Sequence, residues 1–207
     1  MTAVITGFAG TPFAKMAAYT LPLIEAYALR HGAVFGCANM IGERAPSWQK
    51  VSTLHQTLQK HDLVVWIDID VVVLDGSRWI GDELPADKWQ GLVEHKTECG
   101  EVPNCGVWVV RREMLPVLEQ VWQMDRYLDH GWWEQAAVLE LLGYHVAEGP
   151  RSVRERPSDL YDRTHWLPAE WNDHPKDARR APHARFVHAT QYEDRLATVQ
   201  RYAALAT

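Results

Sequence analysis

Asp68 and Asp70 stand one residue apart inside the run Leu63-Val64-Val65-Trp66-Ile67-Asp68-Ile69-Asp70-Val71-Val72-Val73-Leu74. A β-branched, apolar run of this kind reads as a strand buried on both faces of a sheet. An ionised carboxylate is costly to bury unless it is paired or bound to a metal. On one strand the two Asp share a face, with Cα atoms roughly 6.6 Å apart, and can converge on one cation where the chain bends. Hard carboxylates select Mg²⁺ or Mn²⁺, and such sites take one or two carboxylates plus substrate phosphates, so a phosphorylated ligand is implied. His188, in the distant segment Arg185-Phe186-Val187-His188, is a candidate third ligand, and an imidazole tilts the choice toward Mn²⁺. D-x-D is nevertheless short and common. The same pair would also cap a helix or pair with arginine, and in a chain with 10 His a structural role for His188 stays open.

The elements around this pair alternate. Ala3–Thr6 reads as a first strand, and Thr11-Pro12 opens a helix that runs to about His31 and stops at Gly32. Ala33–Ala38 is the next strand. Pro46-Ser47 opens a helix with Val51, Leu54 and Leu58 at core spacing, ending near Lys60, and the D-x-D strand follows. This βαβαβ order predicts parallel strands whose C-terminal ends share one edge, and in open α/β sheets ligands bind at that edge. Further on, Gly91–His95 and Val107–Val110 read as strands, the second preceded by Asn104-Cys105-Gly106. Met114–Leu128 and Trp132–Leu142 read as helices separated by Gly131. Tyr144–Ala147 reads as a strand, 149–183 as a long irregular segment, Arg185–His188 as a strand and Glu193–Leu205 as a closing helix.

With 207 residues and 47% hydrophobic content the chain is read as one domain with a full core. A formal net charge of −6 offers no general attraction to nucleic acid or to an anionic membrane. An anionic ligand must therefore be held locally, through a cation. Three scattered Cys without C-x-x-C spacing argue against a disulfide framework and a zinc site, and for a reducing compartment. The N-terminus lacks a basic leader, and no apolar run approaches the ~20 residues that cross a bilayer, so no transmembrane segment and a cytoplasmic location are expected. The 10 Trp suit sugar rings or nucleobases as well as ordinary packing.

Several segments together carry a resemblance. Ser47-Trp48-Gln49-Lys50, about a dozen helical residues, then Val65-Trp66-Ile67-Asp68-Ile69-Asp70 resembles the core of GT-A glycosyltransferases. The likeness is to the galactosyltransferase/xylosyltransferase family of fungal mannan and plant xyloglucan enzymes. Asn104-Cys105-Gly106-Val107 resembles that family's N-x-G-V strand. Trp133-Glu134-Gln135-Ala136-Ala137 resembles a helix start shared with the retaining glycogenin-like family. Leu167-Pro168-Ala169-Glu170-Trp171-Asn172 and Phe186-Val187-His188 resemble its last two motifs. The resemblance spans roughly residues 3 to 190. The family's membrane anchor and stem have no counterpart in these 207 residues and none is expected, and Ala189-Thr190-Gln191 stands where a glycine commonly follows the histidine.

The resemblance implies an α/β GT-A fold, Rossmann-like, with a mixed but mostly parallel central sheet flanked by helices. Residues 1–75 form the nucleotide-binding half and 76–207 the donor-sugar and acceptor half. It implies a metal-dependent retaining glycosyltransferase that moves a sugar from a nucleotide-diphosphate sugar, a UDP-hexose or UDP-pentose, to a hydroxyl acceptor such as a glycan. Asp68, Asp70 and His188 would hold Mn²⁺ or Mg²⁺, Asp70 as the more direct ligand and Asp68 shared with the donor. Lys50 would neutralise donor phosphate or bond the donor sugar. Thr6, Gly7, Phe8 and Gly106 would line the donor, and Asn104 would bond its sugar or the reacting centre. Glu134 would bond donor-sugar hydroxyls, with Gln135 near the anomeric carbon. Glutamine is a poor nucleophile, which favours same-face attack within an ion pair, Gln135 stabilising positive charge. Trp132, Trp133, Trp166 and Trp171 fall in the half expected to face acceptor. Two other classes remain alternatives: a nucleotidyl or phosphoryl transferase using the same acidic pair, and a non-catalytic nucleotide-sugar-binding module.

Overall fold

The computed structural model describes residues 1–98, 100–146, 152–174, 177–178, 181–190 and 192–206. β1 (Thr2–Phe8), α1 (Thr11–Arg30), β2 (Val34–Asn39), α2 (Pro46–Leu58) and β3 (Leu63–Ile67) build the parallel unit that the alternation predicts, in spatial order β2-β1-β3. Both helices start on a proline at their first turn, where a missing N–H costs nothing. α1 ends where Gly32 takes φ +66, a backbone conformation that a side chain would strain.

The D-x-D run is not one strand. β3 ends at Ile67, residues 68–70 turn, and β4 (Val71–Val73) leaves the main sheet. Asp68 N–H donates to Gly106 O at 2.7 Å while Asp68 O accepts Val71 N–H at 3.0 Å, so the chain folds back at the first carboxylate. β4 then pairs antiparallel with β10 (Phe186–His188), with His188 opposite Val71. The two Asp therefore meet through a turn rather than along one strand face.

β5 (Gln90–Thr97) and β6 (Gly100–Arg111) form a long antiparallel hairpin with a register shift between Leu92 and Val93. Asn104 thus lies inside a strand, not in a turn before one. β6 pairs antiparallel with β3, and β9 (Thr164–Trp166) adds parallel to β5. Along β2-β1-β3-β6-β5-β9, every described strand except β6 runs in one direction. The reversal matters: it brings the early residues of β6, not its late ones, to the C-terminal end of β3.

Side chains alternate across the sheet with period two. Val64 and Trp66 of β3, with Trp108 and Val110 of β6, face α2, α3 (Leu115–Trp122) and α4 (Trp133–Leu141) through Trp48, Leu54, Leu118 and Val138. Leu63, Val65 and Ile67, with Val107 and Val109, face Ile24 and Tyr27 of α1 and the pair Trp171 and Phe186. Truncating a core indole such as Trp66 to Ala would cost about 3–5 kcal/mol. The helix expected over Met114–Leu128 is shorter, because 3₁₀ turns at Arg112–Met114 and Asp125–Tyr127 flank α3. Of the strand expected at Tyr144–Ala147, β7 covers Tyr144–Val146, and Ala147 lies outside the described residues. The segment 149–183 is not structureless: its described residues include β8 (Ser152–Arg154), α5 (Asp159–Asp162), β9 and a 3₁₀ turn at Ala169–Trp171. α6 (Arg195–Ala203) packs on α1 and β4 through Val199, Met16 and Val72. Among the described residues, no helix is long and apolar enough to cross a membrane.

Candidate metal centre and active site

Asp68, Asp70 and His188 each offer a ligand atom within 4.8 Å of one another. The turn after β3 supplies the two carboxylates and β10 the imidazole, joined only when β4 and β10 pair. His188 Nε2 stands 3.3 Å from Asp70 Oδ1, and Arg195 Nη1 on α6 stands 3.6 Å from Asp70 Oδ2. Burial pushes the Asp70 carboxyl up, but the charge and hydrogen bond of His188, together with the charge of Arg195, outweigh it and hold the group below its ordinary range. Two carboxylates and one imidazole are a donor set that suits Mn²⁺ or Mg²⁺. The residues present therefore fit a divalent ion.

Lys50 occupies the centre of a second, buried cluster. Its ammonium donates to Cys105 O at 3.1 Å and pairs with Asp68 Oδ1 and Glu134 Oε1, each at 3.0 Å. An ammonium has three protons, so all of them are taken by protein acceptors. Burial alone would push this lysine down, yet Asp68 and Glu134 hold it above its ordinary range. Burial pushes the Glu134 carboxyl up, Lys50 offsets part of that, and Asp68 adds to it, leaving Glu134 above its ordinary range. Asp68 Oδ1 also accepts the indole N–H of Trp66 at 2.6 Å, so its other oxygen is the one left for a ligand. A lysine reaching out to donor phosphate is thus not what the structure presents; Lys50 positions two carboxylates instead.

Gln135 Oε1 accepts Cys105 N–H at 3.2 Å, which orients the amide at the start of α4. Just before it, Trp133 takes φ +42, the one non-glycine residue in the left-handed region among the described residues. Strain of this kind persists where the surroundings over-determine it, often beside a site. Asn104 Oδ1 accepts both Gly106 N–H at 2.8 Å and Asn172 Nδ2–H at 2.9 Å, so its oxygen is committed to protein donors. His188 Nδ1 lies 3.0 Å from Asn172 Oδ1. A Cβ on Gly106 would fall 2.2 Å from His188 Cε1, so only glycine lets the imidazole settle there. That packing requirement, rather than close donor approach, is what the structure gives for this glycine.

The remaining expected residues scatter. Thr6 lies at the end of β1, fully buried, and its hydroxyl has no protein hydrogen-bond partner. Gly7 is required by packing, since a Cβ there would sit 2.5 Å from Met40 Sδ. Phe8 ends β1 half-buried. Trp171 is wholly buried against Phe186 and cannot stack on a sugar. Trp166 packs on Tyr161 with ring centroids 4.9 Å apart. It lies on β9, three strand spacings from β3, or about 14 Å. Trp132 is half-buried against His130, and Trp133 is 43% exposed, so of the four it alone presents an open ring. Residue types gave no signal for Arg195 or for the role of Asn172; only the packing of α6 and of the 3₁₀ turn brings them to the site. Cys37 and Cys105 are free thiols, and Cys99 lies outside the described residues.

Neither a protein-family model nor a curated protein sequence matches the chain. Solved structures do. A glycosyltransferase involved in glycosylating the major capsid of PBCV-1 aligns with a TM-score of 0.71 at 18% identity, covering 98% of each chain. The galactosyltransferase LgtC, solved with donor and acceptor sugar analogues, aligns at 0.64 and 12% identity, over 100% of this chain and 96% of that one. The glycosyltransferase GlyE of Streptococcus pneumoniae aligns at 0.62 and 11% identity, over 98% of this chain and 61% of that one. At these identities the likeness speaks for architecture: the chain has the GT-A fold.

Proposed function

We propose that the protein is a metal-dependent, retaining glycosyltransferase of the galactosyl/xylosyltransferase type, transferring a sugar from a nucleotide-diphosphate sugar to a hydroxyl acceptor. One observation carries the reading. Asp68, Asp70 and His188 converge at the functional edge of a GT-A sheet, and Lys50 ties Asp68 directly to the Glu134-Gln135 helix start. A divalent ion held there, Mn²⁺ or Mg²⁺, would act as a Lewis acid on the leaving diphosphate.

The chain's own residues divide the remaining work. Arg195, 43% exposed beside Asp70, is the cation placed to receive diphosphate charge. Phe8, half-buried at the last position of β1, lines the nucleoside side, whereas Thr6 is enclosed in the core and does not reach it. Asn104 keeps only its amide nitrogen for a sugar hydroxyl, because its oxygen is spent within the protein. Gln135 presents an amide oxygen already shared with Cys105 N–H, suited to stabilising a developing positive charge rather than forming a covalent bond. Glu134, paired with Lys50, is equally unsuited to attack. A same-face displacement follows, with the departing diphosphate accepting the proton of the acceptor hydroxyl. A UDP-sugar donor and a glycan acceptor complete the reading, and unpaired thiols suit a cytoplasmic setting.

The test is donor hydrolysis and transfer across a panel of UDP-sugars, with and without Mn²⁺. Turnover that needs Mn²⁺ and disappears in Asp70→Ala is expected. Nucleotide-sugar binding that is indifferent to metal and to Asp70→Ala, with no turnover, would overturn it.

A further inference from the structure

Four groups in series run from the backbone of β6 to the candidate metal ligand, and their donor–acceptor sense can be worked out from one end. The backbone N–H of Gly106 can only donate, and it meets Asn104 Oδ1 at 2.8 Å. That fixes which end of the Asn104 amide is oxygen. Asn172 approaches the same oxygen at 2.9 Å, so it must offer its NH₂ group. Its Oδ1 then faces His188 Nδ1 at 3.0 Å, and an oxygen there can only accept. Nδ1 must carry the proton. In a neutral imidazole the other nitrogen then holds the lone pair, and Nε2 is the atom 3.3 Å from Asp70 Oδ1.

We infer that Asn172 is a positioning residue that sets the tautomer of His188, and that the setting originates in the backbone N–H of Gly106. Asn172 touches no reacting atom. It is wholly buried, as is most of His188, so water is not present in bulk to offer either nitrogen an alternative partner. The imidazole also rests against Gly106, where a Cβ would come within 2.7 Å of Nδ1, so the ring and its partner amides are held as one packed unit. The result is a histidine whose Nε2 is aimed at the carboxylates, so that it is the nitrogen that offers a lone pair once the ring carries a single proton. A proton on Nε2 can bridge to Asp70 in the metal-free protein, and a divalent ion would take that proton's place. A metal-ligating histidine commonly has its second nitrogen bonded in this way, and loss of such a partner costs 10–100-fold in metal affinity. The inference rests on the proposed metal site for its consequence but not for its first readout, which is taken on metal-free protein.

The experiment labels the histidine rings with ¹⁵N and reads the tautomer of His188 by long-range ¹H–¹⁵N correlation, at a pH where the two ring-nitrogen shifts show that the ring carries a single proton. The signal is assigned by its loss in His188→Gln. Wild type is expected to show the proton on Nδ1. Asn172→Leu should move it toward Nε2, the tautomer free histidine prefers, and weaken Mn²⁺ binding about 10–100-fold by titration. Asn104→Asp retains an acceptor for both Gly106 N–H and Asn172, and should keep the proton on Nδ1. Asn104→Leu removes that acceptor, freeing Asn172 to turn, and should yield mixed tautomers. A merely structural role would not separate Asn104→Asp from Asn104→Leu in this way. An Nε2–H wild type, an unchanged tautomer in both Leu variants, or identical behaviour of the Asp and Leu variants at position 104 would overturn the inference. Wild type with the expected tautomer but no Mn²⁺ binding would leave the inference standing and defeat the metal reading.

Discussion

Replacing Lys50 with methionine keeps the stem of the side chain and removes the ammonium that Cys105 O, Asp68 and Glu134 share. Asp68 is partly exposed and retains the Trp66 indole, so the damage falls on Glu134, which is buried. Removing one partner of a buried ion pair strands the other charge and costs about 3–5 kcal/mol. In a chain of 207 residues each kcal/mol shifts Tm by about 2–4 °C, so Lys50→Met should melt about 6–20 °C lower. The pH dependence has a definite sign. The carboxyl of Glu134 is raised in the folded protein, by burial first, with Lys50 pulling against it. A group raised on folding contributes stability that is fully present below its unfolded pKa and lost as pH rises through its folded pKa. Without Lys50 the folded value rises further, so the loss in Lys50→Met should be smallest near the ordinary carboxyl pKa of about 4.3 and grow toward neutrality. Thermal and urea unfolding between about pH 5 and pH 8 measure this directly. The double variant Lys50→Met/Glu134→Leu replaces a buried pair by apolar groups, a change that is often neutral, and should recover most of the loss. A single variant that loses less than about 1 kcal/mol, or a double variant no more stable than Lys50→Met, would refute the argument that a stranded buried charge is what matters.

Asp70→Asn should weaken Mn²⁺ binding more than Asp68→Asn, because Lys50 and Trp66 already occupy one Asp68 oxygen; titration showing the reverse order would displace Asp70 as the main ligand. Arg195→Gln should raise the KM for a UDP-sugar about tenfold or more, in line with the 1.5–3 kcal/mol of a hydrogen bond to a charged group, and leave kcat largely intact. An unchanged KM would remove Arg195 from the donor site. Trp171→Ala should lose about 3–5 kcal/mol of stability in urea unfolding, as a buried indole does. Trp133→Ala should lose less than about 1 kcal/mol and act instead on acceptor KM; equal stability losses would contradict their different burial. Gly106→Ala places a Cβ 2.2 Å from His188 Cε1 and should weaken Mn²⁺ binding, whereas Cys105→Ala alters only a buried thiol and should bind Mn²⁺ normally. Matching affinities in these two variants would show that the imidazole tolerates being displaced.

What was legible in the residues is what local pattern decides. Pro12 and Pro46 mark helix starts, Gly32 a helix end, and Val51, Leu54 and Leu58 a buried face, so the parallel unit β1-α1-β2-α2-β3 emerges from spacing alone. The turn at Asp68 is different. Val71–Val73 continues the composition of β3 without a break, and what ends the strand is a contact with Gly106 and a new partner at residues 186–188. No window of sequence contains both. Lys50 shows the same limit at the level of one side chain. Its type and place were readable, but its role depends on counting acceptors contributed by β6 and α4, which only the packed chain supplies. The pieces of 149–183 escaped because strands of three residues carry too little periodicity to register.

The deeper reason lies in β6. Because this strand runs against its neighbours, its residues 104–106 arrive beside the end of β3, and their backbone does most of the fixing. Cys105 O takes Lys50, Cys105 N–H holds Gln135, Gly106 O receives Asp68 N–H, and Gly106 N–H orients Asn104. Main-chain groups are the same in every residue, so this hub leaves almost no trace in residue types beyond the glycine that sterics require. A sheet with β6 parallel would bring Val109 and Val110 to this edge, and the same side chains would find no common anchor. The direction of one strand therefore decides whether Asp68, Asn104 and Gln135 form a site at all. The sense of β6 relative to β5 follows from the few residues between Thr97 and Gly100, too few for the crossover that parallel neighbours need, and its pairing with β3 places residues 104–106 at the site.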